Sequence, residues 1–342
     1  MKKLALAALA VLAVFCLAGC SWNWGFGGLF SGFDYADGNK YKTGAFEYNA
    51  ADVDAVVVNW VSGSVTLTQK DGNGLKVSEE ESGLSQAQKM RWRMDGRTLR
   101  IQFCESGYVG VISREKKLTV EIPSGIDLRV AVTSGNVLLD EHDLKKVEFD
   151  ATSGDISMKA LRADSLDAAQ TSGSISLGDL RVKDDLKVTS TSGSIYGDSV
   201  KAKNARITGT SGSVKITALE AEDEVKIVST SGGASLKTLT AKKADIGSTS
   251  GSHSVEEANV DELVMGTTSG TVTAGLKQVK SADFGSTSGA VRLTLLSDLG
   301  ATVRFDTASG DLNGKGGDDT VIFGDGSCRI RVDTTSGDLT VK

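Results

Sequence analysis

Thr152-Ser153-Gly154-Asp155-Ile156-Ser157-Met158 returns one repeat later as Thr171-Ser172-Gly173-Ser174-Ile175-Ser176-Leu177, and this recurrence decides the fold. Ten Thr-Ser-Gly triplets occur, beginning at Thr133, Thr152, Thr171, Thr191, Thr210, Thr230, Thr249, Thr268, Thr287 and Thr335. Ala308-Ser309-Gly310 is an altered eleventh copy. The triplet glycines Gly135, Gly154, Gly173, Gly193, Gly212, Gly232, Gly251, Gly270 and Gly289 follow one another at a nearly constant step. A fixed period of about 20 residues marks a protein of stacked repeats. A chain built from one repeated unit has little left over for a single catalytic pocket.

Each repeat carries three apolar pairs. Ile156 and Met158, or Ile175 and Leu177, stand two and four places after the glycine with a polar residue between them. That alternation is the period of a half-buried strand. Leu161 and Ala163, then Leu180 and Val182, form the second pair; Val147 and Phe149, then Leu186 and Val188, form the third. The 2-3-2 spacing and the frequent glycines exclude ordinary helices. The leucine-rich signature is missing. The pattern predicts an all-β chain, a parallel β-solenoid (β-helix) of coils of about 19–20 residues over 131–342. One coil cannot bury its own apolar pairs, but a stack gives them a continuous core. Ten coils at strand spacing make a rod of ~48 Å, and right-handed winding follows from the general preference of parallel crossovers.

The triplet has two readings. Glycine supplies a corner conformation, and Ser or Thr hydroxyls can bond nearby backbone there. Alternatively the stacked Thr and Ser form a regular face for a polymer or an ordered surface. Folding requires the pattern in either case, so the corner role is the expected one.

The first residues read as an export signal. Lys2 and Lys3 precede an apolar run from Leu4 to Ala18, too short to span a bilayer. Leu17-Ala18-Gly19-Cys20 resembles the lipobox of bacterial lipoprotein signals. The resemblance implies cleavage of residues 1–19 and a diacylglycerol on the Cys20 thiol, the one candidate site of modification. More than one acyl chain gives stable anchoring where a single chain is marginal. Cleavage leaves 36 basic against 44 acidic residues, a net charge of −8. With no basic block, nucleic acid is not an expected partner. Cys104 and Cys328 would be in an oxidising compartment, where pairing is the default. The solenoid puts them near opposite ends, too far apart to bridge.

Residues 20–44 read as a Gly/aromatic tether, and 45–130 as an irregular β capping region. In that region Ala55–Trp60 and Val65–Thr68 are expected strands around a turn at Val61–Val65. Thr98–Phe103 and Lys117–Ile122 are further strands, and Glu79–Met94 is a polar excursion or short helix. Beyond Asp311 the period breaks: Gly310 and Gly337 stand further apart than any earlier pair of neighbouring triplet glycines, and the insertion between them is expected to cap the far end. An apolar strand with Trp60 precedes Ser62-Gly63-Ser64-Val65. Glu121-Ile122-Pro123-Ser124-Gly125 follows, then the Thr-Ser-Gly coils. In that order these features resemble the bacterial β-strand-repeat family of "putative adhesins" of unknown function, over roughly residues 50–342. The resemblance implies an exported, surface-exposed solenoid and carries no functional residues with it.

Catalytic chemistry is sparse. His142 and His253 are the only histidines, and His253 falls at an inward coil position. No C-x-x-C, H-E-x-x-H, phosphate loop or G-x-S-x-G occurs. Gly316-Gly317-Asp318-Asp319 is oxygen-rich, but the calcium-binding nonapeptide is not repeated. Asp155, Asp179, Asp184 and Asp185 fall at scattered coil positions and read as solvated surface charge. No metal, cofactor or catalytic residue is expected. The sequence therefore predicts a non-enzymatic, lipid-anchored cell-surface protein of the cell envelope, adhesin-like, with the ectodomain outside the cytoplasm. Its expected partners are the membrane, through the anchor, and a surface polymer or protein. The alternatives are a polysaccharide-binding or polysaccharide-cleaving β-helix protein, or a component of a cell-envelope stress response.

Overall fold

The computed structural model describes residues 33–342 apart from residues 50, 51, 71, 73, 81, 82, 111, 113, 114, 314, 317 and 318. It is an all-β solenoid of about nine turns whose coils stack in parallel. The strand Ile175–Val182 buries Ile175, Leu177, Leu180 and Val182, and Asp185–Ser192 buries Leu186, Val188 and Ser190. The step of three between Leu177 and Leu180 is a corner taken inside one strand. Further along, whole coils run as single strands with internal corners, as in Ile195–Ser211, Val214–Ser231 and Ala234–Ser250.

Equivalent positions meet in register. Ile156, Ile175, Ile195, Val214, Ala234, His253, Val272 and Val291 form one inward column. All are buried, including His253 at 1% exposure. Burial of the Val and Ile side chains of this column contributes roughly 1.5–3 kcal/mol each, but only when a rung lies above and below it. The cooperativity of the rod follows from that condition.

The triplet glycine answers to a close approach. A Cβ built on Gly193 would overlap the carbonyl oxygen of Gly173, and one on Gly212 would overlap that of Gly193. The same contact repeats through Gly232, Gly251, Gly270 and Gly289. At this corner the backbones of successive coils nearly touch.

Stacking order departs from chain order at both ends. Ala55–Gln69 is one continuous strand, where a turn at Val61–Val65 was expected. Ser62 and Gly63 lie in register with Ser134 and Gly135, so Ser62-Gly63 is a reduced triplet and the parallel stack reaches back to it. Thr98–Gln102 and Lys116–Ile122 pair in parallel on the outer side of that strand, so the chain builds outward and then returns across it as Asp127–Asp143. Antiparallel strands Gly74–Glu79 and Arg91–Asp95 cover the outer rung, with Phe46–Asn49 and Lys42–Thr43 outside them.

The far end runs the same device in reverse. Ala301–Thr307 forms an outer rung covered by antiparallel Asp319–Phe323. Cys328–Thr334 then inserts between that rung and Val272–Ser288. Val291 pairs with Leu339, and Leu339 with Leu312. Gly310 therefore sits on Gly337 and Gly337 on Gly289. The altered copy at 308–310 is the outermost of the column, although it precedes Thr335-Ser336-Gly337 in the chain. The insertion after Gly310 caps the end, as the break in the period implied.

One buried ion pair closes the first end. Lys116 Nζ and Glu79 Oε1 are 2.6 Å apart with both side chains fully buried. The ammonium also donates to the carbonyls of Gln88 and Phe103 and lies over the rings of Trp60 and Phe103. Glu79 Oε2 accepts from the backbone N–H of Met90 at 2.8 Å. The polar stretch 79–94 thus has buried residues at Glu79 and Met90, with a 3₁₀ turn at Gln86–Gln88 between them. Residues 33–41 lie against this cap: the Tyr35 hydroxyl is 3.8 Å from Cys104 Sγ, and Asp37 pairs with Arg93 at 3.1 Å. Cys104 and Cys328 are buried free thiols.

Two outcomes check this architecture. Gly193→Ala forces two rungs apart and lowers stability by about 3 kcal/mol, whereas Gly285→Ala, with nothing within 4 Å of its new Cβ, leaves the melting temperature unchanged or raised. Deleting residues 213–232, one whole coil, leaves a shorter folded rod by circular dichroism. Deleting residues 213–222 misregisters the inward columns and abolishes cooperative melting.

Candidate functional site

The Thr-Ser-Gly edge runs the length of the rod, and among the described residues its side-chain hydrogen bonds are, with one exception, not made by the triplet hydroxyls. At several corners the residue before the triplet points inward and binds a corner carbonyl. Ser190 Oγ donates to the Gly193 carbonyl at 3.0 Å, Thr267 Oγ1 to that of Gly251 at 3.0 Å, and Thr334 Oγ1 to that of Gly337 at 2.9 Å. At several corners the residue after the glycine ties one rung to the next. Asn136 Oδ1 accepts the N–H of Asp155 at 2.9 Å, Asp155 Oδ1 that of Ser174 at 2.8 Å, and Ser252 Oγ that of Thr271 at 3.1 Å. Among the described residues Ser336 is the only triplet member whose hydroxyl meets backbone, at 3.5 Å from the Thr287 carbonyl. The expectation that the triplet hydroxyls serve the corner is thereby corrected: flanking residues do that work. The triplet Thr and Ser stand half-exposed or exposed in two parallel columns.

The other two faces are laced with ion pairs between neighbouring rungs. Lys159 meets Asp140 at 3.0 Å, Lys187 meets Asp167 at 2.8 Å, Lys226 meets Asp245 at 2.6 Å, and Lys280 meets Asp261 at 2.8 Å. Exposed pairs of this kind stabilise little, but they neutralise those faces locally. The Thr and Ser columns of the edge carry no charge. Near its first end lies an open recess of about 280 Å³ lined by Ser64, Glu115, Ser134, Asn136 and Ser153.

The acidic residues singled out in the sequence stay apart in role. Asp155 serves the rung contact above, Asp179 lies 3.8 Å from Arg181, Asp185 accepts from Asn204 at 2.9 Å, and Asp184 takes backbone N–H groups on its carbonyl. Among the described residues, a Ser–His contact that resembles a catalytic pair is Ser248 with His253, 2.8 Å between Oγ and Nε2. Its polarity is wrong for a general base. Nδ1 accepts the backbone N–H of Ala234 at 3.2 Å, so the neutral ring carries its proton on Nε2 and donates it to Ser248. Cys104 and Cys328 are no better as nucleophiles, since burial pushes each thiol up to about 11. Cys20 lies outside the described residues.

Burial holds the His253 imidazole down at about 4, and the buried His142 is lowered for the same reason. A histidine of the unfolded chain titrates near 6.5, so below that pH the unfolded state takes up protons that the folded state refuses. The stability due to neutral His253 is complete above pH ~6.5. It is lost as pH falls towards 4, by up to about 3 kcal/mol. His253→Val, which matches Val272 in the next rung, flattens this slope in urea melts run between pH 4.5 and 7.5. The buried His142, lowered for the same reason, contributes to the slope that remains.

A comparison with curated proteins found no match. Solved structures that match include a "putative cell adhesion protein" from Clostridium sporogenes ATCC 15579, at 10% identity and a TM-score of 0.21 over 89% of this chain and 99% of that one. A "putative adhesin" from Bacteroides fragilis NCTC 9343 matches at 12% identity and 0.26, over 88% and 97%. One from Parabacteroides distasonis ATCC 8503 matches at 12% and 0.32, over 87% and 97%. The family model described as Toastrack DUF4097 matches residues 53–237 and again residues 178–342. Those two overlapping matches take in the first reduced triplet, every coil and both interleaved ends, and the chain belongs to the Toastrack DUF4097 family.

Proposed function

We propose that this protein is a non-enzymatic binding rod of the cell envelope, anchored through a lipid on Cys20, that engages a polymer or surface through its Thr-Ser-Gly edge. The observation that carries the reading is the division of labour at the corner. Where side chains bind this corner, among the described residues they belong almost entirely to neighbours of the triplets, which leaves the uncharged triplet hydroxyls, Ser336 apart, to exchange bonds with a ligand. Their repeat at rung spacing, ~4.8 Å, suits a target that is itself periodic, where many weak equivalent contacts multiply through avidity. Residues 33–41 pack on the first end of the solenoid, so an anchor at Cys20 attaches to that end and holds the rod outward. An acidic chain with paired surface charge gives no reason for nucleic acid as a partner.

Two experiments test this. Fatty-acid labelling is lost in Cys20→Ala; continued incorporation removes the anchor from the proposal. Incubation of the protein with peptidoglycan, teichoic-acid-type and neutral polysaccharides gives pull-down without product release. Replacing Thr171, Thr191 and Thr210 together by Ala weakens that binding at unchanged melting temperature, because these hydroxyls bond nothing among the described residues. Turnover abolished by one acidic substitution on a coil face would establish the enzyme instead.

A further inference from the structure

We infer that Tyr196 and Lys215 anchor an anionic polysaccharide strand laid along the rod beside the hydroxyl edge; the inference rests on the binding-edge reading and names its ligand. The outward column three places after each glycine runs Ser157, Ser176, Tyr196, Lys215, Ser235 and Ser254, each in register with the next. Between Thr66 and Arg292 this column holds no carboxylate, in a chain whose net charge is −6. Phe149, Phe284 and Phe305 are buried in the coils, whereas Tyr196 is 43% exposed. It is therefore an aromatic ring that the coils present to solvent, and together with Lys215 it lies between two serine-bearing rungs. Lys215, on the adjacent rung, is exposed and makes no ion pair among the described residues. One corner away, Lys201 and Lys226 are held by Glu220 and Asp245.

These groups meet the requirements of a sugar acid. A pyranose ring has an apolar C–H face that lies flat on an aromatic ring, and Tyr supplies such area with little conformational entropy to lose. Along the strand, sugar hydroxyls find Ser176 and Ser235 on either side of the pair. The carboxylate finds the ammonium of Lys215, a cation that no carboxylate among the described residues pairs with. Asp198 is the next exposed outward residue along the Tyr196 strand. It disfavours an anion on that side and keeps the strand over the serine column. The surface is open and wet, so one sugar binds weakly and a polymer binds through repetition along the rod.

The test separates ring from charge. The purified full-length protein is titrated against polygalacturonate, which has both, dextran, which has rings only, and inorganic polyphosphate, which has charge only. Polygalacturonate binds about ten-fold or more tighter than either, and Tyr196→Ala and Lys215→Gln each weaken it by about ten-fold, the scale of a lost anchor residue. Melting temperatures stay unchanged, and Lys203→Gln, at an exposed corner, has no effect. Equal binding of dextran overturns the role of charge, and equal binding of polyphosphate overturns the role of the ring. Polygalacturonate binding unaffected by both variants overturns the site while the edge reading stands. No binding of any probe overturns the anionic-glycan assignment and leaves the edge to be judged by the triple threonine variant on the wider polymer panel.

Discussion

The close approach of backbone to backbone at the glycine corner is the constraint on which the rest of this protein depends. Successive rungs come so near there that a methyl group would overlap the carbonyl of the rung below. The inward columns inherit their register from that contact, because each glycine fixes where the next coil begins. Ile195 faces Ile175 and Val214 because Gly193 sits on Gly173 and Gly212 on Gly193. The inward hydroxyls follow from the same geometry. The corner turns its carbonyl towards the core, where a buried acceptor without a donor is costly, and Ser190 or Thr334 supplies that donor.

A stack with this regularity must stop somewhere, and its open edges are the hazard of every solenoid. Both ends solve the problem alike, by an outer rung reached out of order and covered with antiparallel strands. The first end adds a buried ammonium whose donors go to a carboxylate and two carbonyls and whose remaining surface meets two aromatic rings. Removing one partner of such a pair leaves an uncompensated charge in the core. Lys116 also abuts Gly63 and accepts the Trp60 indole N–H on its carbonyl. It joins the cap to the first glycine of the column.

Most of the middle of the rod was legible in the sequence, because an inward position repeated once per coil can be read from hydropathy alone. His253 illustrates its strength: a polar residue at an inward position is buried there all the same. The ends were less legible. Self-similarity records that Gly310 and Gly337 belong to the column but not which of them lies outside. Ser62-Gly63 had lost its threonine and looked like a turn. The candidate surface was half legible. The triplets announce hydroxyls, but whether those of the triplet or of its neighbours enter the core depends on which way the chain bends at the corner. A linear pattern of Ser and Thr does not encode that bend. Tyr196 carried no signal of its own, since a tyrosine in a strand fits a half-buried surface without any ligand.

The interleaved far end has a consequence for how the molecule is made. The strands Cys328–Thr334 and Leu339–Val341 lie inside the rung formed by Ala301–Thr307 and Asp311–Leu312. A chain emerging amino-terminus first can lay down coil on coil as each appears. The outer rung, however, has nothing to dock on until Cys328–Thr334 and Leu339–Val341 have taken their place beneath it. Completion of the rod therefore waits for Cys328–Thr334 and Leu339–Val341. Until then, Ala301–Thr307 and Asp319–Phe323 remain unseated strands with apolar side chains, which makes this interval, rather than the mature rod, the moment of greatest exposure to misassembly during biosynthesis.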